Sequence, residues 1–279
     1  MRERPSERLL QMFPDARSLA LYRCAVADQW RAETAIDWSA LSFDHLSPVV
    51  RKAMGAIYGD ILFAEAFGVA VTARMAELAP EAWQRKFALI QAVDESRHAE
   101  FFERLVAKLA IHTEPSNELV LLREHFDQAA DYDELMLHGQ VIETAARVLF
   151  IRNGTRALEL MAKAVRLPGA AAVSTVVRAI VDLVGRDESR HIAFGTHSLR
   201  RRLVGYDAAS RDELEQRATA SAHLIYRAFA RRSNELAVLG SPPRDVLDRT
   251  WQALRVQLAR LELDVGDAEP LSRFQSKCS

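Results

Sequence analysis

The pentapeptide Asp-Glu-Ser-Arg-His occurs twice, at 94–98 and at 187–191, and the two copies hold every Glu-x-x-His pattern in the chain. One such pattern is expected by accident about once in a chain of this length at average residue usage. Two identical five-residue copies call for a common cause. On a helix, residues three apart lie one turn from each other on one face, so each copy offers a carboxylate oxygen and an imidazole nitrogen to a common point. Two such helices facing each other could hold two metal ions, each copy supplying a Glu and a His to one of them.

A two-metal site in a helical bundle takes one further Glu from each partner helix. Glu65 is the lone charge in Ile61-Leu62-Phe63-Ala64-Glu65-Ala66-Phe67-Gly68-Val69, where an unpaired carboxylate would cost several kcal/mol. Glu143 is similarly flanked in Val141-Ile142-Glu143-Thr144-Ala145-Ala146. For either residue the alternative is an ion-paired or surface carboxylate, and for His98 and His191 it is a satisfied core histidine; the duplication weighs against both. The resulting set is Glu65, Glu95, His98, Glu143, Glu188 and His191. Four carboxylates and two imidazoles form a hard, oxygen-rich set that suits iron or manganese and disfavours structural zinc.

The elements that must position these residues are helices. Only 11 Gly and 9 Pro punctuate the chain, and they cluster between long apolar-periodic segments with almost no strand signal. The pattern predicts helices over 15–33, 47–78, 81–111, 116–128, 132–165, 170–204, 207–239 and 243–263. Four of them, around Glu65, Glu95, Glu143 and Glu188, make two hairpins. The first turns at Ala79-Pro80-Glu81, where Pro suits a helix start, and the second at Arg166-Leu167-Pro168-Gly169. Glu65 and Glu95 each lie about 15 residues from the first turn and so sit at similar height. Glu143 lies about 24 residues before the second turn and Glu188 about 20 after it, a mismatch of roughly 6 Å that a π-bulge or an asymmetric turn would absorb. Glu159, the rival, is displaced by nearer 18 Å and sits beside Arg156 and Lys163.

No low-complexity segment or linker divides the 279 residues. One all-α domain is expected over 1–279, with a metal-binding bundle at about 47–204 and accessory helices at about 15–33 and 207–263. A formal charge of −1 with 27% charged residues gives no basic or acidic bias toward nucleic acid or an anionic membrane. Arg makes up 32 of the 37 basic residues, spread along the chain as genomic base composition would place them. Cys24 and Cys278 are too few for a disulfide framework or a thiolate metal site. With no apolar leader at Met1–Glu7 and no run near 18 uncharged apolar residues, a cytoplasmic protein is expected.

The residues Glu65, Glu95-x-x-His98, Glu143 and Glu188-x-x-His191, in that order, resemble the ferritin-like dimetal-carboxylate superfamily, and within it the branch of ribonucleotide reductase small subunits and diiron oxygenases. Gln29-Trp30 followed by Ile36-Asp37-Trp38 is similar to the segment before the first metal helix of those subunits. The resemblance covers about 28–200. It implies a ferritin-like four-helix bundle, two Fe ions or a Mn/Fe pair, O₂ as co-substrate and a homodimer. It also implies that Asp187 orients His98 and Asp94 orients His191 by accepting from the free ring nitrogen, with Trp30 meeting Asp187. Each Asp has the alternative of pairing with Arg97 or Arg190, and both arrangements are compatible.

Departures from the family narrow the expected function. The radical Tyr of reductase small subunits falls at Phe102. The Tyr of oxidases that form a Val–Tyr cross-link falls at His138, the extra His of arylamine N-oxygenases at Val184, and the Thr of multicomponent monooxygenases at Arg147. Arg147 lies one turn from Glu143, where it either faces the cavity to bind a substrate carboxylate or phosphate, or forms a structural ion pair. Phe67, Gly68, Phe101, Phe102, Phe194 and Gly195 are the candidate pocket positions, mostly ordinary core. The expected activity is O₂-dependent C–H or N–H oxygenation, or desaturation, of a small organic molecule, with a ferredoxin or flavoprotein as electron donor. A ferritin-like iron-handling protein without organic substrate, and a radical-generating subunit lacking the usual Tyr, are the alternatives.

Overall fold

The computed structural model describes residues 12–112, 114–153 and 170–264. Among these the chain is helical and no strand occurs. A short helix α1 (Ala16–Ala27) starts at Asp15, whose side chain accepts from the Ser18 N–H. It stops short of the expected 33. Gln29 folds back onto the Ala25 carbonyl, and Trp30 turns its indole N–H into the bundle.

The first hairpin consists of α2 (Pro48–Leu78) and α3 (Ala82–Leu109). Ser47 caps α2 by accepting from the Val50 N–H, with Pro48 in the first turn, where a missing N–H costs nothing. Pro80 excludes the helical conformation for the residue before it, and α3 restarts through a reciprocal capping box between Glu81 and Gln84. By length and composition α2 could cross a membrane, its most apolar window having a mean hydropathy of 1.5. In the fold that apolar surface packs on α3, and the face also carries buried Asp60 and Glu65.

A connector helix α4 (Asn117–Gln128) leads to the second pair. Helix α5 (Tyr132–Arg147), capped by Asp131, runs into a π-helical segment at Val148–Asn153. Its partner is α6 (Ala170–Ala179), which passes through a second π-helical segment, Ile180–Val184, into α7 (Gly185–Leu203) without leaving helical backbone angles. The predicted turn at 166–169 and the rival Glu159 lie outside the described residues. One π-helical segment follows Glu143 and another precedes Glu188 in the chain, and the two carboxylates meet at one height, each 3.4 Å from His191 Nδ1. Helices α5 and α7 approach closely at Gly195, where a methyl group would meet Gln140 Nε2 at 2.0 Å.

The accessory helices are α8 (Ala208–Arg231), α9 (Ser233–Val238) and α10 (Pro243–Ala259). The helix expected over 207–239 is broken at Arg232, which has left helical geometry while the Ser233 hydroxyl donates to the Ala230 carbonyl at 2.6 Å. That local side-chain bond competes with helix continuation. Two apolar clusters fill the interior. One contains Phe67, Phe87, Phe126 and Phe194; the other contains Tyr58, Phe101, Phe102 and Phe150. On α2 and α3 the two clusters occupy opposite ends, and buried Glu65, Gln91, Asp94, Glu95, Arg97 and His98 lie between them.

Candidate dimetal site

Helices α2, α3, α5 and α7 each turn one Glu toward the level between the two clusters. Glu65, Glu95, Glu143 and Glu188 are all at most 7% exposed, and His98 and His191 at most 1%. Two groups result with donor atoms close enough to share an ion: Glu65, Glu95, His98 and Glu188, and then Glu95, Glu143 and His191. His98 Nδ1 lies 3.2 Å from Glu65 and 3.5 Å from both Glu95 Oε2 and Glu188 Oε1. His191 Nδ1 lies 3.4 Å from Glu143 and Glu188 Oε2, and 3.5 Å from Glu95 Oε1.

The two repeats therefore do not serve one cluster each. Glu95 and Glu188 present one oxygen to each histidine, while Glu65 faces only His98 and Glu143 only His191.

The electrostatics fit a site built for cations. Burial pushes the Glu65 carboxyl up to about 8, and burial together with the Glu188 charge holds Glu143 well above the carboxylate range. Burial would depress both histidines, yet the charge of Glu65 together with hydrogen bonds to Asp187, Glu65 and Glu95 raises His98, and the charge of Glu143 together with hydrogen bonds to Asp94, Glu143 and Glu188 raises His191. Among the described residues no Lys or Arg forms an ion pair with any of the four Glu side chains, and Glu188 Oε2 and His191 Nδ1 are buried without a hydrogen bond. The donor set fits two hard divalent ions of the iron or manganese type.

Behind the histidines the two aspartates cross over. Asp187 Oδ2 accepts from His98 Nε2 at 3.3 Å and Asp94 Oδ2 from His191 Nε2 at 3.1 Å, so Nδ1 is the ring nitrogen that faces the carboxylates in both cases and would be the one to hold a metal ion once deprotonated. Trp30 Nε1 donates to Asp187 at 2.8 Å. The alternative ion pairs are present as well: Arg97 bonds Asp94 and Asp187, and Arg190 bonds Asp187 at 2.6 Å and Asp94 at 3.5 Å. Asp187 is buried, but its bond from His98 and the charges of His98 and Arg190 hold its carboxyl well below the usual range.

Gln91 belongs to the site and was not singled out from the sequence. Its Nε2 donates to Glu95 at 3.1 Å and to Glu143 at 2.8 Å, tying a carboxylate of α3 to one of α5. The available signal was its position four residues before Glu95, on the same helix face.

The carboxylates open onto a cavity bounded by α2, α4, α5 and α8. On α2 its lining runs from Ile57 to Met75, about 27 Å along the helix axis. Of the candidate pocket residues, Phe67 and Gly68 line it. Phe101 and Phe102 are instead core, packed with Trp30, Trp38 and Tyr58, and Phe194 stacks on Phe87 with centroids 3.6 Å apart.

Arg147 is a correction. It is exposed and does not line the cavity. Taking Glu143 as origin, the lining residues Gly139, Ile142 and Ala146 sit at roughly −40°, −100° and −60° around the helix, and Arg147 at about +40°, on the other flank. His138 also points elsewhere, sharing its ring nitrogens between Ser221 at 2.9 Å and Glu134 at 3.3 Å. Burial pushes its pKa down to about 4.

No sequence-family model and no curated protein matches this chain. Solved structures do match. The chain is similar to a ribonucleotide reductase R2 subunit from Clostridium botulinum, with a TM-score of 0.70 and 13% identity over 99% of this chain and 90% of the other. A Synechococcus protein with aldehyde deformylating oxidase activity matches at 0.61 and 16% identity, over 84% and 100% of the two chains. A point mutant of an R2-like ligand-binding oxidase with a Mn/Fe cofactor matches at 0.55 and 15% identity, over 91% and 95%. The fold is thus the ferritin-like helical bundle of R2 subunits and R2-like oxidases.

Proposed function

We propose that this chain is an O₂-activating dimetal oxidoreductase that acts on a small organic molecule held in the apolar cavity. The observation that carries the reading is the paired carboxylate–histidine site opening directly onto that cavity. Glu95 and Glu188 would each hold both ions, Glu65 and His98 one, Glu143 and His191 the other. Asp187 and Asp94 would fix the two rings in the tautomer that leaves Nδ1 free.

Bound redox-active ions would supply the electrons for O₂ reduction, with the ions restored by an external ferredoxin or flavoprotein. The chain's own part is positional. Gln91 holds Glu95 and Glu143 in place, and the apolar walls keep water from the reacting groups. Oxygenation at C–H or N–H, or desaturation, is the chemistry such a site supports, in a cytoplasmic homodimer. Iron handling without an organic substrate leaves a cavity of this length without a role. A Tyr radical at the usual position is disfavoured by Phe102, fully buried against Tyr58.

Metal analysis with a single-turnover O₂ reaction tests the reading. About two redox-active ions per chain, and one rapid O₂ consumption after chemical reduction, are expected. Protein that binds fewer under favourable loading, or stays inert to O₂ once reduced, overturns it.

A further inference from the structure

A second cluster of polar side chains lies where α4, α5 and α8 meet. It holds His125, His138 and Ser221, one from each helix. The Ser221 oxygen is 2.9 Å from His138 Nδ1 and 3.4 Å from His125 Nδ1, so imidazole nitrogens from two helices converge on one point. The rings are tilted by 48° with centroids 6.0 Å apart. His138 and Ser221 are buried and His125 is half-buried.

Proton placement in the cluster follows from Glu134. This carboxyl is buried, yet a bond from the Ala130 N–H and the Arg217 guanidinium outweigh burial and hold it below the usual range. An ionised carboxylate only accepts. Its 3.3 Å contact with His138 Nε2 therefore places the ring proton on Nε2, and His138 Nδ1 carries a lone pair. Ser221 has a single proton, which it donates to that lone pair, and its oxygen accepts from His125 Nδ1. Burial keeps the His138 ring neutral, its pKa pushed down to about 4, so protons compete little for Nδ1 near neutrality.

His138 thus has the surroundings of a metal-ligating histidine. A carboxylate on Nε2 fixes the tautomer and raises the basicity of Nδ1, as Asp187 and Asp94 do for His98 and His191. The spacing agrees. Donors about 2.1 Å from a tetrahedral or octahedral ion lie roughly 2.9 to 3.4 Å from one another, and the Ser221 oxygen stands at such distances from both Nδ1 atoms. A pocket of about 250 Å³ opens on the same place, lined by His125, His138 and Glu134 together with Gln128, Gln216 and Arg217. It has room for an ion and for waters that complete its shell. The Arg217 charge is offset by Glu134 and by Glu213 at 2.8 Å.

We infer that His125 Nδ1, His138 Nδ1 and Ser221 Oγ form a third metal position, separate from the dimetal site and of a different chemical class. Two neutral imidazoles and a hydroxyl suit a borderline d-block ion such as Zn(II) or Cu(II) better than the hard ions that four carboxylates hold. Binding exchanges the His125 tautomer: the ion takes Nδ1, and the ring proton passes through solvent to Nε2. The inference does not rest on the proposed oxidoreductase activity.

Zn(II) titration of metal-free protein, followed by calorimetry and by nitrogen-15 spectra of the imidazoles, tests it. The parent protein is expected to take up about three ions per chain, two of them in the dimetal site, and His125→Gln about two. In the parent the His125 proton should move from Nδ1 to Nε2, while His138 keeps its own on Nε2. Glu134→Gln retains an acceptor for His138 but not the charge, and should weaken this ion by about 10- to 100-fold without loss of the other two. Circular dichroism checks that both variants fold. An ion count in His125→Gln equal to that of the parent, a His125 proton still on Nδ1 at saturation, or undiminished affinity in Glu134→Gln would each overturn the inference. A parent protein that bound one ion and lost it in His125→Gln would leave this site standing and remove the dimetal reading.

Discussion

Glu95 reaches across the bundle to His191. Its Oε1 lies 3.5 Å from His191 Nδ1 while its Oε2 lies 3.5 Å from His98 Nδ1 on its own helix. Glu188 makes the mirror arrangement, so one residue of each repeat spans both halves of the site, and the repeats act as a single interlocked unit. The two remaining carboxylates, Glu65 and Glu143, serve one half each.

That division has a measurable consequence. Glu95→Ala removes an oxygen from both halves and is expected to reduce metal content from about two ions per chain to well under one. Glu65→Ala strips only the His98 half and should leave about one ion. Elemental analysis after loading and desalting distinguishes them, and equal losses in the two variants would contradict the division.

Metal uptake should release protons and strengthen as pH rises. Glu65 has a folded pKa of about 8 against an ordinary 4.5, so between those values the folded metal-free protein holds a proton that the unfolded chain does not. Its contribution to stability is full below 4.5 and is lost as pH rises through about 8. Glu143 and the two histidines are raised as well, in the same direction. His138, pushed down to about 4, opposes this only below about 6.5, so metal-free protein should melt lower as pH rises from there toward 8, and bound metal should reverse the trend. Scanning calorimetry of both forms reads this directly, and an upward slope for the metal-free form would be the contrary result.

Gln91→Leu should lower metal affinity by roughly tenfold without unfolding the bundle, because Leu matches the volume while Glu95 and Glu143 lose their shared donor. Competition with a chelator measures the affinity and far-ultraviolet circular dichroism the fold. An affinity unchanged from the parent protein would assign Gln91 to packing alone.

Much of this site is legible in the sequence for a physical reason. A carboxylate alone in an apolar run, like Glu65, advertises burial that needs a counter-charge, and a duplicated Glu-x-x-His advertises two facing helices. Among the described residues the expected helices recur, with breaks where local bonds intervene. What stayed illegible depends on tertiary placement. Arg232 lines the cavity because the helix breaks there and its side chain meets Asp60, 172 residues away. Arg147 misled because one-turn spacing names a helix face but not which flank of Glu143 the cavity occupies. Gln91 looked like any polar helix residue until its two partners were in place.

The crossed aspartates make the last prediction specific to one half of the site at a time. Asp187 accepts from His98 Nε2 and Asp94 from His191 Nε2, so each Asp supports the histidine of the other repeat. In Asp187→Asn the charge that favours the Nε2–H tautomer of His98 is gone, and the Arg97 and Arg190 bonds to it weaken. Loss of such a supporting carboxylate costs about 10- to 100-fold in metal affinity. The loss should fall on the ion beside His98, and in Asp94→Asn on the ion beside His191. Stepwise loading followed by paramagnetic shifts of the two imidazoles separates them. If instead each variant weakened the ion beside its own repeat's histidine, the support would run along each helix and not across the bundle.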